Sequence, residues 1–417
     1  MKPEDFLPEA LVRAARSGRT AGAFDAGGVT DAIRRALDAA GLDTRSGPMK
    51  GVTDTIQQAL AAAGLATGRP GAPAGDVIDV EAREVPEGRT TADRTTAARG
   101  AQPSDATAGA TPDAARARPA SGTRGVMLAR SFTSAAGTRD YRLYVPASLG
   151  AEPAPLVVML HGCTQNPEDF AAGTGMNALA ERHGFVVAWP EQAGKANQQR
   201  CWNWFNARNQ RRDIGEPALL AGITREVAAG LPIDDERIFV AGLSAGAAMA
   251  VILAEAYPDL YAGVGAHSGL PYKAAHDVAS AFAAMKGGAQ AAARPARRAG
   301  ASRPVPTIVF HGDRDQTVDI RNGEQIVAQA AAAANAQADA AGLATQVHTG
   351  SSPGGVSFRR TVHADAAGRP QVEDWVLHGA GHAWSGGSAA GSYTDPRGPD
   401  ASAEMVRFFL AQRRGRP

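Results

Sequence analysis

The chain has 417 residues, 44% of them hydrophobic, and a formal net charge of +1. That is enough apolar material for a full hydrophobic core with roughly a hundred residues left outside it, and the near-neutral balance gives no broad electrostatic case for nucleic acid as a partner. No apolar stretch is long enough to span a bilayer, and the opening Met1-Lys2-Pro3-Glu4-Asp5-Phe6 lacks the apolar core of a signal segment.

Near the N-terminus the chain repeats itself. Val29-Thr30-Asp31-Ala32-Ile33 returns as Val52-Thr53-Asp54-Thr55-Ile56, and Gly41-Leu42 as Gly64-Leu65. Each copy has a threonine at the N-cap position, apolar residues at helical spacing and a glycine stop, so residues 1–65 read as a helical region with two short amphipathic helices. Such helices are marginal alone, and the domain that follows, another copy of the chain or an apolar granule are surfaces on which they would pack. Plain packing or a loosely ordered tail is favoured over a specific binding role. From residue 66 to 123 the chain is Ala, Gly, Pro, Thr, Arg and Asp with few large apolar residues, which predicts a disordered linker.

A domain over 124–413 follows, opening with two strand-like runs, Gly125–Phe132 and Tyr141–Pro146, around a turn. Leu156-Val157-Val158-Met159-Leu160 suits a central parallel strand and delivers His161-Gly162-Cys163-Thr164-Gln165. Cys201-Trp202-Asn203-Trp204-Phe205 is an aromatic segment. Strands and helices alternate from there, which predicts an α/β fold with a mostly parallel sheet and helices on both faces. Two insertions, Lys286 to Pro304 and Gly350 to Val356, read as mobile surface loops.

The chemistry concentrates in three places. Gly242-Leu243-Ser244-Ala245-Gly246 stands between the apolar run Ile238-Phe239-Val240-Ala241 and a helix-prone Ala247–Leu253, the strand, turn and helix context of a nucleophile elbow at Ser244. Val305–Phe310 is a buried-strand pattern leading to His311-Gly312-Asp313-Arg314-Asp315, where Asp313, Asp315 and Asp319 compete for the acid role and loop position favours Asp315. Asp313 is a turn residue on this reading. Gly381-His382-Ala383-Trp384 places His382 in the last loop before the C-terminal helix, as the base. The order Ser, Asp, His is that of α/β-hydrolases. Backbone amides of Ala245 and Cys163 are the candidate oxyanion hole. His161 and His311 read as structural residues hydrogen-bonded under the loops. Trp202, Trp204 and Trp384 suggest an aromatic wall to a substrate cleft, with core packing an equal alternative for at least one of them. Gln165, Asn203, Asn206 and Asp213 are candidates to orient substrate. No metal-ligand pattern and no cofactor motif is present in the sequence.

Taken together, His161–Gln165, Cys201–Phe205, Gly242–Met249, Gly381–Gly387, Gly398-Pro399-Asp400-Ala401-Ser402 and Arg407–Leu410 closely resemble the polyhydroxyalkanoate (PHB) depolymerase family of α/β-hydrolase esterases, over about residues 126 to 413. The resemblance implies a carboxylic ester hydrolase acting on short-chain polyhydroxyalkanoate or its oligomers. Feruloyl and acetylxylan esterases share the core and give the alternative of a carbohydrate esterase. A non-catalytic protein that binds a granule or a partner through the repeated helices is the alternative from another class. In this family the positions of Cys163 and Cys201 commonly form a disulfide beside the active site. The cysteine pair and the family imply an extracellular or periplasmic location, with the cytoplasm as the alternative given the N-terminus. A polymer granule meeting the N-terminal helices is the one macroscopic partner the resemblance suggests, and oligomeric state is left open.

Overall fold

Alternation within short apolar runs builds the centre of the molecule. In β3 (Ala154–Leu160) the side chains of Leu156, Val158 and Leu160 enter one apolar cluster, and Val157 and Met159 enter another on the opposite face. The same split divides Ile238 and Val240 from Phe239, Ala241 and Leu243 in β5 (Ile233–Leu243). Residues that point alternately to the two faces of a strand, and are apolar on both, belong to a sheet covered on both sides.

The computed structural model describes residues 125–288, 303–337 and 342–415. The repeated segments, the 66–123 stretch and most of the Lys286 to Pro304 insertion lie outside the described residues. The other strands of the main sheet are β1 (Val126–Ser134), β2 (Gly137–Val145), β4 (Val186–Pro190), β6 (Gly263–His267), β7 (Thr307–Gly312), β8 (Ala344–Ser351), β9 (Ser357–Ala364) and β10 (Pro370–Leu377). The ten form one sheet in the order β1-β2-β4-β3-β5-β6-β7-β10-β9-β8. Neighbours from β4 to β10 run parallel, and the antiparallel pairs lie at the two edges.

Helices α3 (Gly215–Gly230), α4 (Ala245–Ala256), α5 (Val278–Gly287) and α6 (Arg321–Asn335) cover one face, and α1 (Pro167–Thr174), α2 (Met176–His183) and α7 (Ala401–Leu410) cover the other. Among the described residues no helix is long and apolar enough to cross a membrane. Side chains cap two of these helices: the Asn166 side chain accepts the Asp169 amide, and Asp400 accepts that of Ala403.

One expected loop is a packed turn instead. Gly350 to Val356 closes the β8–β9 hairpin: the Ser352 amide donates to the Val356 carbonyl at 2.9 Å, Val356 is buried, and the Ser352 hydroxyl donates to the Arg397 carbonyl. Its glycine and serine content reads as loose chain, but the antiparallel pairing of the flanking strands fixes both ends.

Candidate active site

Ser244 sits between β5 and α4 with φ 57° and ψ −120°, a backbone conformation that is costly for any residue with a side chain. Neighbouring packing holds it there. The Ser244 amide donates to the His267 carbonyl at the end of β6 (2.9 Å), and the Ala248 amide at the start of α4 closes onto the Ser244 carbonyl (3.0 Å). The flanking glycines are required by contact. A Cβ on Gly242 would stand 2.6 Å from the Leu160 carbonyl oxygen, and one on Gly246 would stand 2.6 Å from that of His161. The strand and the helix therefore cross the end of β3 at a distance only glycine permits.

The three competing aspartates are separated by their partners. Asp315 Oδ2 accepts His382 Nδ1 at 2.7 Å, and its Oδ1 accepts the amides of Thr317 and Val318, both at 2.9 Å. Burial works to raise the Asp315 pKa, but the His382 hydrogen bond and charge and the Val318 amide outweigh it and hold the carboxyl below its ordinary value. Asp313 instead accepts His378 Nδ1 (2.9 Å) and the Gly379 amide (2.7 Å), and Asp319 pairs with Arg321. The loops that carry Asp315 and His382 are tied directly, since the Arg314 amide donates to the Ala380 carbonyl at 3.0 Å. With Nδ1–H committed to a carboxylate, the His382 imidazole keeps Nε2 as its free, proton-accepting nitrogen.

Ala245 is the first residue of α4, so its amide is one of the unpaired donors at a helix N-terminus. The Cys163 amide, like that of Ala245, has no internal hydrogen-bond partner among the described residues. His161 fixes the peptide that carries it. His161 Nε2 accepts the Gln192 amide (3.1 Å), so Nδ1 holds the proton and donates to the Gly162 carbonyl (2.8 Å). In a planar trans peptide, holding the carbonyl also aims the N–H at the opposite edge. Gln165 braces the same loop, its Oε1 accepting the Gly162 amide at 2.9 Å and its Nε2 donating to Asp169 at 2.9 Å. Cys163 is bonded to Cys201, closing a loop across a separation of 38 residues, and on the chain-entropy account such a bridge stabilises by about 4 kcal/mol.

No motif marks His267, which lies fully buried beneath the elbow. Its Nε2 accepts the Ser385 amide (3.0 Å), and its ring stacks on Phe310 and Trp384. It therefore joins the Ser244 turn to the segment just after His382. Burial holds His161 at about 4 and His267 at about 3, the latter helped by the charges of His311 and His382. As pH falls below the ordinary histidine value near 6.5, the unfolded chain gains protons that these two folded sites refuse, so the unfolded state is favoured. The urea midpoint is expected to be level above about pH 6.5 and to fall steadily toward about pH 4; a midpoint unchanged across that window would contradict the neutral assignment of both rings.

The expected aromatic wall is not where the indoles are. Trp202 is 0% exposed and donates Nε1–H to the His161 carbonyl, Trp384 is 1% exposed and donates to Ser402 Oγ, and Trp204 is buried against Phe205. A buried indole needs a partner for its N–H, and two of these find one beneath the loops that hold the candidate site. The proposed substrate contacts are also otherwise engaged. Gln165 is buried in the loop brace, and Asn203 bonds Glu216 through both its backbone and its side-chain nitrogen. Asn206 accepts the Arg208 amide within its own turn, and the Asp213 amide and carboxylate bond the Tyr257 hydroxyl.

Residues 139–351, half of the chain, match the family described as Esterase PHB depolymerase. Poly(3-hydroxyalkanoate) depolymerase C of Paucimonas lemoignei is 35% identical over 259 residues, 60% of this chain and 60% of that protein. Poly(3-hydroxybutyrate) depolymerase of Ralstonia pickettii is 35% identical over 138 residues, 31% of this chain and 28% of that one. Probable acetylxylan esterase A of Aspergillus flavus is 28% identical over 201 residues, 45% of this chain and 64% of that one. The chain spans less than two thirds of the length of each of these relatives. The solved structure of acetyl xylan esterase from Aspergillus awamori superposes with a TM-score of 0.53 at 19% identity, over 68% of this chain and 99% of that one. The shared fold is the α/β-hydrolase fold.

Proposed function

Because the chain belongs to the PHB depolymerase family of esterases, we propose that it is a serine esterase that hydrolyses poly(3-hydroxybutyrate) or its oligomers through an acyl-enzyme on Ser244. The observation that carries the chemistry is the His382–Asp315 hydrogen bond of 2.7 Å on loops tied to the elbow of Ser244. His382 Nε2 takes the Ser244 proton as Oγ attacks the ester carbonyl. The amides of Ala245 and Cys163 receive the oxyanion, and the imidazolium then protonates the leaving alkoxide. Water repeats the sequence on the acyl-enzyme, releasing the acid and restoring Ser244.

The depolymerase relatives support the polyester as substrate, and the acetylxylan esterase relative supports the second reading, a carbohydrate esterase. Comparing kcat/KM on a 3-hydroxybutyrate trimer and on acetylated xylan separates them. The primary reading expects the trimer to be preferred by at least about a hundredfold, roughly 2.7 kcal/mol of differential transition-state binding. A preference of that size for acetylated xylan would transfer the assignment to the carbohydrate esterases.

The Cys163–Cys201 bridge supports an oxidising location, extracellular or periplasmic. The repeated segments within residues 1–65 are the part of the chain assigned, in this reading, to contact with a polymer granule. Deleting residues 1–65 is expected to weaken sedimentation with amorphous polymer granules while leaving trimer hydrolysis within about twofold; undiminished co-sedimentation would end that assignment.

A further inference from the structure

The loop that presents the Cys163 amide is gripped on two sides, and one grip is not covalent. Thr164 has φ 66°, the left-handed region, which a β-branched residue rarely enters. Its peptide bond to Cys163 is held at both ends: the Thr164 amide donates to the Gln199 carbonyl (2.6 Å), and the Thr164 hydroxyl donates to the Cys163 carbonyl (2.6 Å). Tyr393 Oη lies 3.1 Å from Thr164 Oγ1. A hydroxyl carries one hydrogen, and that of Thr164 is already committed to Cys163, so Tyr393 is the donor. The chain of bonds runs from the Tyr393 hydroxyl through Thr164 to the residue whose amide is the candidate oxyanion donor.

Tyr393 is itself held from the other half of the site. Its carbonyl accepts the Trp384 amide at 2.6 Å, two residues after His382. Its neighbour Ser392 donates its amide to Asp169 (2.8 Å), and the Ser392 carbonyl accepts Gln165 Nε2 (3.1 Å). Tyr393 also takes a left-handed φ of 52° and is 46% exposed, so it is not placed to fill a core. Its hydroxyl bridges the segment that carries the base and the loop that carries the oxyanion donor.

We propose that Tyr393 is a positioning residue for ester hydrolysis, its hydroxyl aiming the Cys163 amide at the oxyanion by way of Thr164. The inference rests on the esterase reading given above. Because Tyr393 acts through the transition state and not through substrate binding, Tyr393→Phe is expected to lower kcat on p-nitrophenyl butyrate about tenfold, with KM within about twofold and an unchanged melting temperature. Thr164→Val should show the same loss, Thr164→Ser should retain activity, and the Tyr393→Phe/Thr164→Val pair should fall no further than the worse single variant, since both cut one path. Affinity for an alkyl boronic acid, which mimics the tetrahedral state, should weaken by the same factor in Tyr393→Phe. A Tyr393→Phe enzyme with kcat within about twofold of the parent would overturn the positioning role while leaving the esterase reading intact. A parent protein inert toward the ester would remove that reading and the inference with it.

Discussion

Replacing Ser244 by alanine is expected to lower kcat on a soluble ester by about a million-fold, the loss found when the nucleophile of a serine hydrolase triad is deleted. The size follows from the division of labour. On the proposed mechanism, without Oγ no acyl-enzyme forms, and only binding and the two candidate amide donors remain to favour attack by water. The variant should fold unchanged, because alanine at φ 57° meets the same backbone restriction as serine and the amide bond to the His267 carbonyl is kept. Matching thermal unfolding curves and initial rates on p-nitrophenyl butyrate check both halves. A variant that keeps most of its activity would mean another nucleophile.

Asp315→Asn is expected to cost about ten-thousand-fold in kcat. An amide in place of the carboxylate presents its nitrogen to His382 Nδ1 or stabilises the wrong tautomer, and it cannot balance the imidazolium formed as Ser244 attacks. Asp313→Asn is the matched control. Asp313 lies two residues away and bonds its own histidine, His378, with similar geometry, yet His378 is half exposed while Asp315 is buried beside His382. Its replacement should leave kcat within a few-fold. If the larger loss came from Asp313, the acid and base would have to be reassigned to the Asp313–His378 pair.

Much of this architecture was legible because it is local or periodic. The apolar runs at 156–160 and 238–243 specify strands buried on both faces, and the glycines around Ser244 specify a close crossing of strand and helix. The spacing from Gly312 to Val318 was enough to favour Asp315 over its neighbours, and the geometry gives that residue the His382 contact.

What was not legible depends on which way a side chain turns. Cys201-Trp202-Asn203-Trp204 reads the same whether its side chains face a cleft or a core; the group that takes the Trp202 indole, the His161 carbonyl, lies 41 residues earlier, and Glu216, which takes Asn203, lies beyond the segment. Gln165 reads as a substrate ligand until its partners Asp169 and Ser392 are brought beside it. His267 ends a strand of small residues and carries no motif, and Tyr393 lies in a glycine- and serine-rich stretch whose fold is set by contacts with residues 164 to 173. In each case tertiary placement, not local pattern, determines the role.

Polyester hydrolysis through Ser244 is tested by the clearing of a stable suspension of amorphous poly(3-hydroxybutyrate), followed by turbidity with the intact protein and with Ser244→Ala side by side. The intact protein is expected to clear the suspension with release of soluble hydroxybutyrate, and the variant is expected to leave it turbid. A folded intact protein that leaves the suspension turbid, or a variant that clears it as fast, would contradict polyester hydrolysis through Ser244.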